Sequence, residues 1–365
     1  MKMELRHAAG SLLVVGLSTT ELTALESAWL KMVRPAGVIL FRRNIEDAQQ
    51  TRALLNAATA LCTPHALRCV DVEGGTVDRL RNALASLPSA QAVVNAAKHT
   101  GKAKLMQEHG ELVGRAVKAF GFNTTLAPVL DLALPASANV MGTRTAAATA
   151  AEVVEYARGF LSGLHAQGVV GCGKHFPGLG AGTVDSHGET PAIQRSLRDL
   201  KREDLIPYRD LRKELPMVMV NHAAYPATPG KQKPATASSY WVTSVLRKQI
   251  GYRGLAFSDD MEMGGILKFL PIEEAAVAAI NAGMDLLEIC QSTELILGAY
   301  EGLLREGERS NAFRTLLLAR AKRTARLRAV LFDKRLPAAL TNVQFESLRT
   351  WIERFSETVR LSQPA

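Results

Sequence analysis

Eight short apolar runs recur along this chain, with longer segments of helical period between them. The runs are SLLVVGL (11–17), GVILF (37–41), ALRCVDVE (66–73), FNTTLAPVLDL (122–132), VVGCGKHF (169–176), MVMVNHAAY (217–225), GLAFSDD (254–260) and MDLLEIC (284–290). Most are continuous apolar stretches and do not alternate. Strands buried on both faces read this way, as in parallel sheets. The segment AAEVVEYARGFLSGLHAQG (150–168) is the helical counterpart, with Val153, Val154, Ala157, Leu161 and Leu164 on one face. Eight strands alternating with helices predict an α/β fold, a single (β/α)8 TIM-type barrel, with a doubly wound open sheet as the alternative. From about residue 311 only helical patterns follow, so extra C-terminal helices are expected to close the barrel. No Pro/Gly/Ser linker, fixed-period repeat or low-complexity tract divides the chain, and residues 1–365 read as one domain.

Composition changes this picture little: 365 residues at 47% hydrophobic and 22% charged suffice for one large core. The stretch AAGSLLVVGL has the look of a secretory signal core. Glu4 precedes it, however, and STTELTALE follows with helix-start chemistry in place of a cleavage site, so residues 11–17 read as a buried first strand. No apolar run approaches the roughly 18–20 residues a membrane span needs. Cys62, Cys69, Cys172 and Cys290 form no CxxC pair or Cys/His ladder, and read as reduced thiols of a cytoplasmic protein. The net charge of +9 raises nucleic acid as a partner, but aromatics are only 5%. The densest basic stretch, residues 314–330, spaces Leu and Ala between arginines at helical intervals and reads as the solvated face of an outer helix. Neither nucleic acid nor membrane is expected as a partner, and the chain is expected to be a monomer. The charge would favour an anionic ligand.

A barrel places its chemistry at the C-terminal ends of the strands. The unusual polar residues fall there repeatedly: Asp71 and Glu73 after the third strand, Lys174 and His175 after the fifth, Asn221 and His222 on the sixth, Asp259 and Asp260 after the seventh. Four such coincidences on one rim are hard to explain as surface decoration. The loop KHFPGLGAGTVDSHGETP (174–191) adds Asp185 and His187 to that rim. Residues i and i+2 of an extended segment point to the same side, so Asp185 can orient the His187 ring and raise its pKa toward that of a useful general acid. A turn Asp beside a surface His is the plainer reading of D-x-H. A metal site built on His175, Asp185, His187 and His222 is another, but the spacing matches no standard cage. An acidic pair ending a buried strand, as in SDD (258–260), is costly unless something uses it. One carboxylate can attack a substrate while the next braces the scaffold, or caps the following helix.

Taken together, KHFPG…DSH, DVEGGTVDRL (71–80), APVLDL (127–132), GTR (142–144), NHAAYP (221–226) and FSDDMEM (257–263) resemble, in order, the glycoside hydrolase family 3 β-N-acetylglucosaminidases. The match is closest to the single-domain bacterial type that works in peptidoglycan recycling, and covers roughly residues 10–300. The resemblance implies a (β/α)8 barrel, Asp259 as nucleophile, and His187 with Asp185 as acid/base dyad. It places Asp71, Arg79, Arg144, Lys174 and His175 on the hydroxyls and N-acetyl group of a terminal GlcNAc. No metal or organic cofactor is implied. The expected reaction is retaining hydrolysis, and the expected substrate is GlcNAc linked to 1,6-anhydro-N-acetylmuramic acid, with or without peptide. A phosphorylase of the same family and a non-catalytic sugar-binding barrel are the alternatives. The sequence departs from the family at Val72, Thr76, Leu179 and Asn221, none of them a proposed catalytic group.

Overall fold

The computed structural model describes residues 4–182, 191–332 and 338–363. Every apolar run named above contributes a strand to one closed barrel. These are β1 (Leu13–Gly16), β2 (Gly37–Leu40), β3 (Leu67–Val70), β4 (Thr124–Thr125), β5 (Val170–Phe176), β6 (Met217–Val220), β7 (Leu255–Asp260) and β8 (Leu286–Ile289). Each pairs with its sequence neighbours in parallel, and β8 closes on β1 through Leu13↔Leu287 and Val15↔Ile289. The α/β barrel expected from the pattern is therefore the observed fold, and the open sheet is excluded.

The continuous apolar runs have a simple cause. Alternate residues serve two different cores. Val14, Ile39, Cys69, Cys172, Met219, Phe257 and Leu286 belong to the cluster inside the barrel. Their neighbours Val15, Val38, Val70, Val218, Ala256 and Leu287 belong to the layer between strands and helices. A side chain such as Phe257, fully buried in the inner cluster, contributes about 3–5 kcal/mol by the usual cost of truncation to Ala. β4 is only two residues long although its apolar run is eleven. Pro128 has no N–H to continue the ladder. The segment still follows β5, since Lys174 N donates to Pro128 O (3.1 Å) and Leu130 N to Lys174 O (2.6 Å).

The helix at Ala150–Ala166 buries Val153, Val154, Ala157, Leu161 and Leu164, as its spacing predicts. The basic stretch is also helical, within Asn311–Leu331, but its arginines are not all solvated. Leu327, Leu331 and Phe332 pack on the inner core at the N-terminal end of the barrel. Nearby, Arg328 donates to the carbonyls of Ala36, Pro64 and His65 (3.0, 3.1 and 3.3 Å). Arg320 and Arg323, with Arg247, surround the buried carboxylate of Asp285. A buried charge needs such partners. These cations thus close one end of the barrel and leave the opposite end for chemistry. A further helix, Asn342–Leu361, packs instead against the outer helices Ala90–Thr100 and Lys104–Ala119, where Trp351 Nε1 donates to Glu108 Oε1 (3.1 Å). Among the described residues no helix is long and apolar enough to cross a membrane.

Candidate active site

At the C-terminal mouth the barrel interior changes from apolar to charged within one inward step per strand. Cys69 is followed by Asp71, Cys172 by Lys174, and Phe257 by Asp259, each pair on the same side of its strand. Beyond β3 the chain folds back in a short hairpin, Val72–Gly74 against Val77–Asp78. Gly74 (φ +88°) makes that turn possible, since a Cβ there would stand 2.1 Å from the Pro88 carbonyl oxygen. The hairpin brings Glu73 and Arg79 back over the mouth.

The buried ammonium of Lys174 donates to Asp71 Oδ1 (2.8 Å) and lies 2.7 Å from Glu73 Oε1. Arg144, from the short turn Gly142–Arg144, clasps Glu73 with both arms, Nε to Oε2 at 2.9 Å and Nη2 to Oε1 at 2.8 Å. Arg79 stands 3.7 Å from Asp71 Oδ2. Burial alone would raise the Glu73 pKa, but Lys174 and Arg144 outweigh it and hold the carboxyl down to about 2. Burial likewise opposes the charge on Lys174, yet Asp71 and Glu73 push its pKa above the ordinary lysine value. Both groups are therefore ionised at any working pH, and the network is a rigid array of fixed charges.

His175 is held from one side. Its Nδ1 lies 2.6 Å from Asp131 Oδ2, which also accepts the His175 backbone N–H (3.1 Å). The other oxygen of Asp131 accepts from Leu179 N (2.6 Å). A proton on Nδ1 leaves Nε2 as acceptor, and Arg144 Nη2 stands 3.5 Å from it. Asn221 steadies the same residue, donating from Nδ2 to the His175 carbonyl (3.0 Å).

The acids of the FSDDMEM segment divide their work. Asp259 Oδ1 accepts the backbone N–H of Asp260 (3.0 Å), and the Asp259 carboxylate makes no other hydrogen bond among the described residues. Burial would raise its pKa, but His175, His222, Lys174 and that N–H hold it below the ordinary value. Asp260 instead accepts from Glu262 N (3.0 Å) and Cys290 N (3.3 Å), tying β7 to β8. Its carboxyl is pushed up to about 7 by burial and by the charges of Glu262 and Asp259. It is not a helix cap, because the following helix Gly264–Leu267 begins after Met263. Glu262 accepts from Gln291 N and Ser292 N (2.8 and 2.6 Å). His222 is buried, its pKa lowered by that burial, and its Nε2 donates to the Asp260 carbonyl (3.0 Å).

Asp71, Arg79, Arg144, Lys174, His175 and Asp259 thus gather at one mouth, while Asp185 and His187 lie outside the described residues. The sequence assigned no role to Glu73 or Asp131. Asp131 ends an apolar run just as Asp259 does, so the same desolvation reasoning would have marked it. A cleft of about 900 Å3 opens at the opposite end of the barrel, between Arg158, His165, Arg212 and Val330. Its one lining acid, Glu214, is paired with Arg158 at 3.2 Å, so that cleft offers no uncommitted carboxylate.

Comparison with known proteins points the same way. The family described as "Glycosyl hydrolase family 3 N terminal domain" matches residues 4–326. The chain is 38% identical over 288 residues to a beta-hexosaminidase of Alkalilimnicola ehrlichii, spanning 78% of this chain and 82% of that protein. It is 36% identical over 294 residues to a beta-hexosaminidase of Pseudomonas aeruginosa, spanning 80% and 86%. The structure of NagZ from Neisseria gonorrhoeae in complex with N-trifluoroacetyl-D-glucosamine superposes with a TM-score of 0.79 at 27% identity, covering 95% of this chain and 98% of that one. A glycoside hydrolase family 3 beta-N-acetylglucosaminidase from Paenibacillus sp. FPU-7 gives 0.85 at 29% identity, covering 97% and 69%.

Proposed function

Because the chain belongs to glycosyl hydrolase family 3, we propose that this glycoside hydrolase is a retaining exo-β-N-acetylglucosaminidase. The observation that carries the reading is the contrast among three neighbouring acids. Asp259 is held ionised with one oxygen uncommitted, whereas Asp260 and Glu262 are engaged by backbone N–H groups. In this reading Asp71, Arg79, Arg144, Lys174 and His175 hold the terminal GlcNAc. Asp259 then attacks the anomeric carbon while His187, oriented by Asp185, protonates the leaving oxygen. The covalent glycosyl-enzyme is hydrolysed by a water that His187 deprotonates, so one residue serves as acid and then as base. The chain is read as a single catalytic domain without cofactor.

The proposed substrate is GlcNAc-1,6-anhydro-MurNAc and its peptide forms, in cytoplasmic recycling of cell wall. The acidic lactyl group and peptide suit a protein of net charge +9, and the four cysteines are unbridged thiols. Lys174, Arg144 and Arg79 already face carboxylates, which favours water over phosphate as the second nucleophile. A panel of aryl β-glycosides (GlcNAc, glucose, xylose) tests sugar and reaction together. The reading predicts selective release from the GlcNAc substrate, as GlcNAc in phosphate buffer. Release of GlcNAc-1-phosphate would make the enzyme a phosphorylase, and no turnover of any substrate would leave a sugar-binding barrel.

A further inference from the structure

The barrel interior holds one acid that the mechanism above does not use. On β8 and the residue just after it, Leu286, Glu288 and Cys290 share the inner side, and Leu286 and Cys290 are both part of the inner core. Val14 of β1 and Asp260 of β7 flank Glu288 in register, which places it at the level where the interior turns from apolar to charged. Glu288 is only 3% exposed. Its Oε1 accepts the thiol of Cys290 at 3.2 Å, while Oε2 is buried with no hydrogen-bond partner among the described residues. Burial, and then the charges of Asp260, Asp71 and Asp259, push its pKa well above the ordinary value, which favours the protonated acid. With Oε1 accepting, the proton falls on Oε2, an O–H with no acceptor.

A buried polar atom left unpaired is destabilising, and a leucine would suit such a position better. Something must use that hydrogen. Among the described residues no three His, Cys, Asp or Glu side chains are arranged to hold a metal ion. The remaining source of an acceptor is whatever fills the mouth above. We propose that Glu288 is a further sugar-binding residue, its Oε2 hydroxyl donating from the floor of the pocket to an oxygen of the bound terminal sugar, directly or through one water. This rests on the glycosidase reading of the same mouth, and it makes β8 a determinant of which sugars the pocket accepts.

The test compares the full-length chain with Glu288→Leu and Glu288→Gln. The leucine fills the space without polar atoms, and the glutamine keeps a donor. The leucine variant is expected to melt higher than wild type without ligand, yet to lose about tenfold in kcat/KM on aryl GlcNAc, mainly through KM. Its thermal stabilisation by added GlcNAc should fall in parallel, and Glu288→Gln should restore both. Wild-type kinetics and sugar stabilisation in the leucine variant would overturn the inference. So would equal losses in both variants with a lowered melting temperature, which mark a structural role. If the wild type itself neither cleaves aryl GlcNAc nor is stabilised by GlcNAc, the glucosaminidase reading fails separately. The same variants are then compared on whichever sugar of the panel binds, and agreement of leucine variant and wild type there overturns the role of Glu288.

Discussion

Asp131 Oδ2 stands 2.6 Å from His175 Nδ1 and also accepts the backbone N–H of the same residue. One carboxylate therefore fixes both the ring orientation and the tautomer of a histidine at the barrel mouth. It leaves Nε2 facing Arg144.

The first prediction follows directly. Asp131→Ala should free the His175 ring and lower kcat/KM roughly ten- to a hundredfold, the usual scale for a hydrogen bond to a charged group. Steady-state kinetics on an aryl GlcNAc checks it. Unchanged kinetics would mean that Asp131 only fastens the loop through Leu179 N.

The second concerns acid stability. The folded pKa of Glu73 is about 2 against 4.5 for an ordinary glutamate. A depressed acid contributes stability that is complete above pH 4.5 and is lost as pH falls toward 2, because there the unfolded chain binds the proton first. Glu73→Gln should therefore flatten the decline in urea midpoint between pH 5 and pH 3. An identical slope in variant and wild type would contradict the assigned charge pairing with Lys174 and Arg144.

Asp260 carries the opposite sign. Its folded pKa of about 7 exceeds the ordinary 3.8, so the folded state holds the proton longer than the unfolded one. Stability from this group is complete below pH 3.8 and is lost as pH rises through 7. Asp260→Asn removes that loss, and its melting temperature relative to wild type should improve from pH 5 to pH 8. A relative melting temperature that does not change with pH would refute the shift.

For the proposed dyad, Asp185→Ala should lower activity by roughly two to four decades while the fold persists, the range of general acid–base catalysis. Leaving groups of low pKa need little protonation, so the loss should shrink across a series of aryl GlcNAc substrates. An equal loss throughout would make Asp185 structural.

How far the sequence carried each of these points depends on the range of the interaction. All eight strands were legible, because burial on both faces leaves an unbroken apolar run in the chain. The length of β4 was not, since Pro128 ends a ladder that the apolar pattern suggests should continue. Asp71, Lys174, His175 and Asp259 were legible as polar groups closing apolar runs. Arg144 was reached only through the resemblance, because nothing local in GTR marks an arginine that pairs with Glu73, 71 residues away. Asp131 acts on a histidine 44 residues on, and no local pattern records that pairing. The same holds for Arg320, Arg323 and Arg328. Their spacing shows a helix but not that Asp285 and three loop carbonyls lie under it.

The central claim is the covalent role of Asp259. A retaining mechanism demands a glycosyl ester on one carboxylate. Incubation with an activated fluorosugar analogue of GlcNAc, followed by peptide mass mapping, should find one sugar on Asp259. Asp259→Asn should lose both label and turnover, while Asp260→Asn keeps measurable activity. A label on Glu262, or a product of inverted anomeric configuration, would contradict the mechanism.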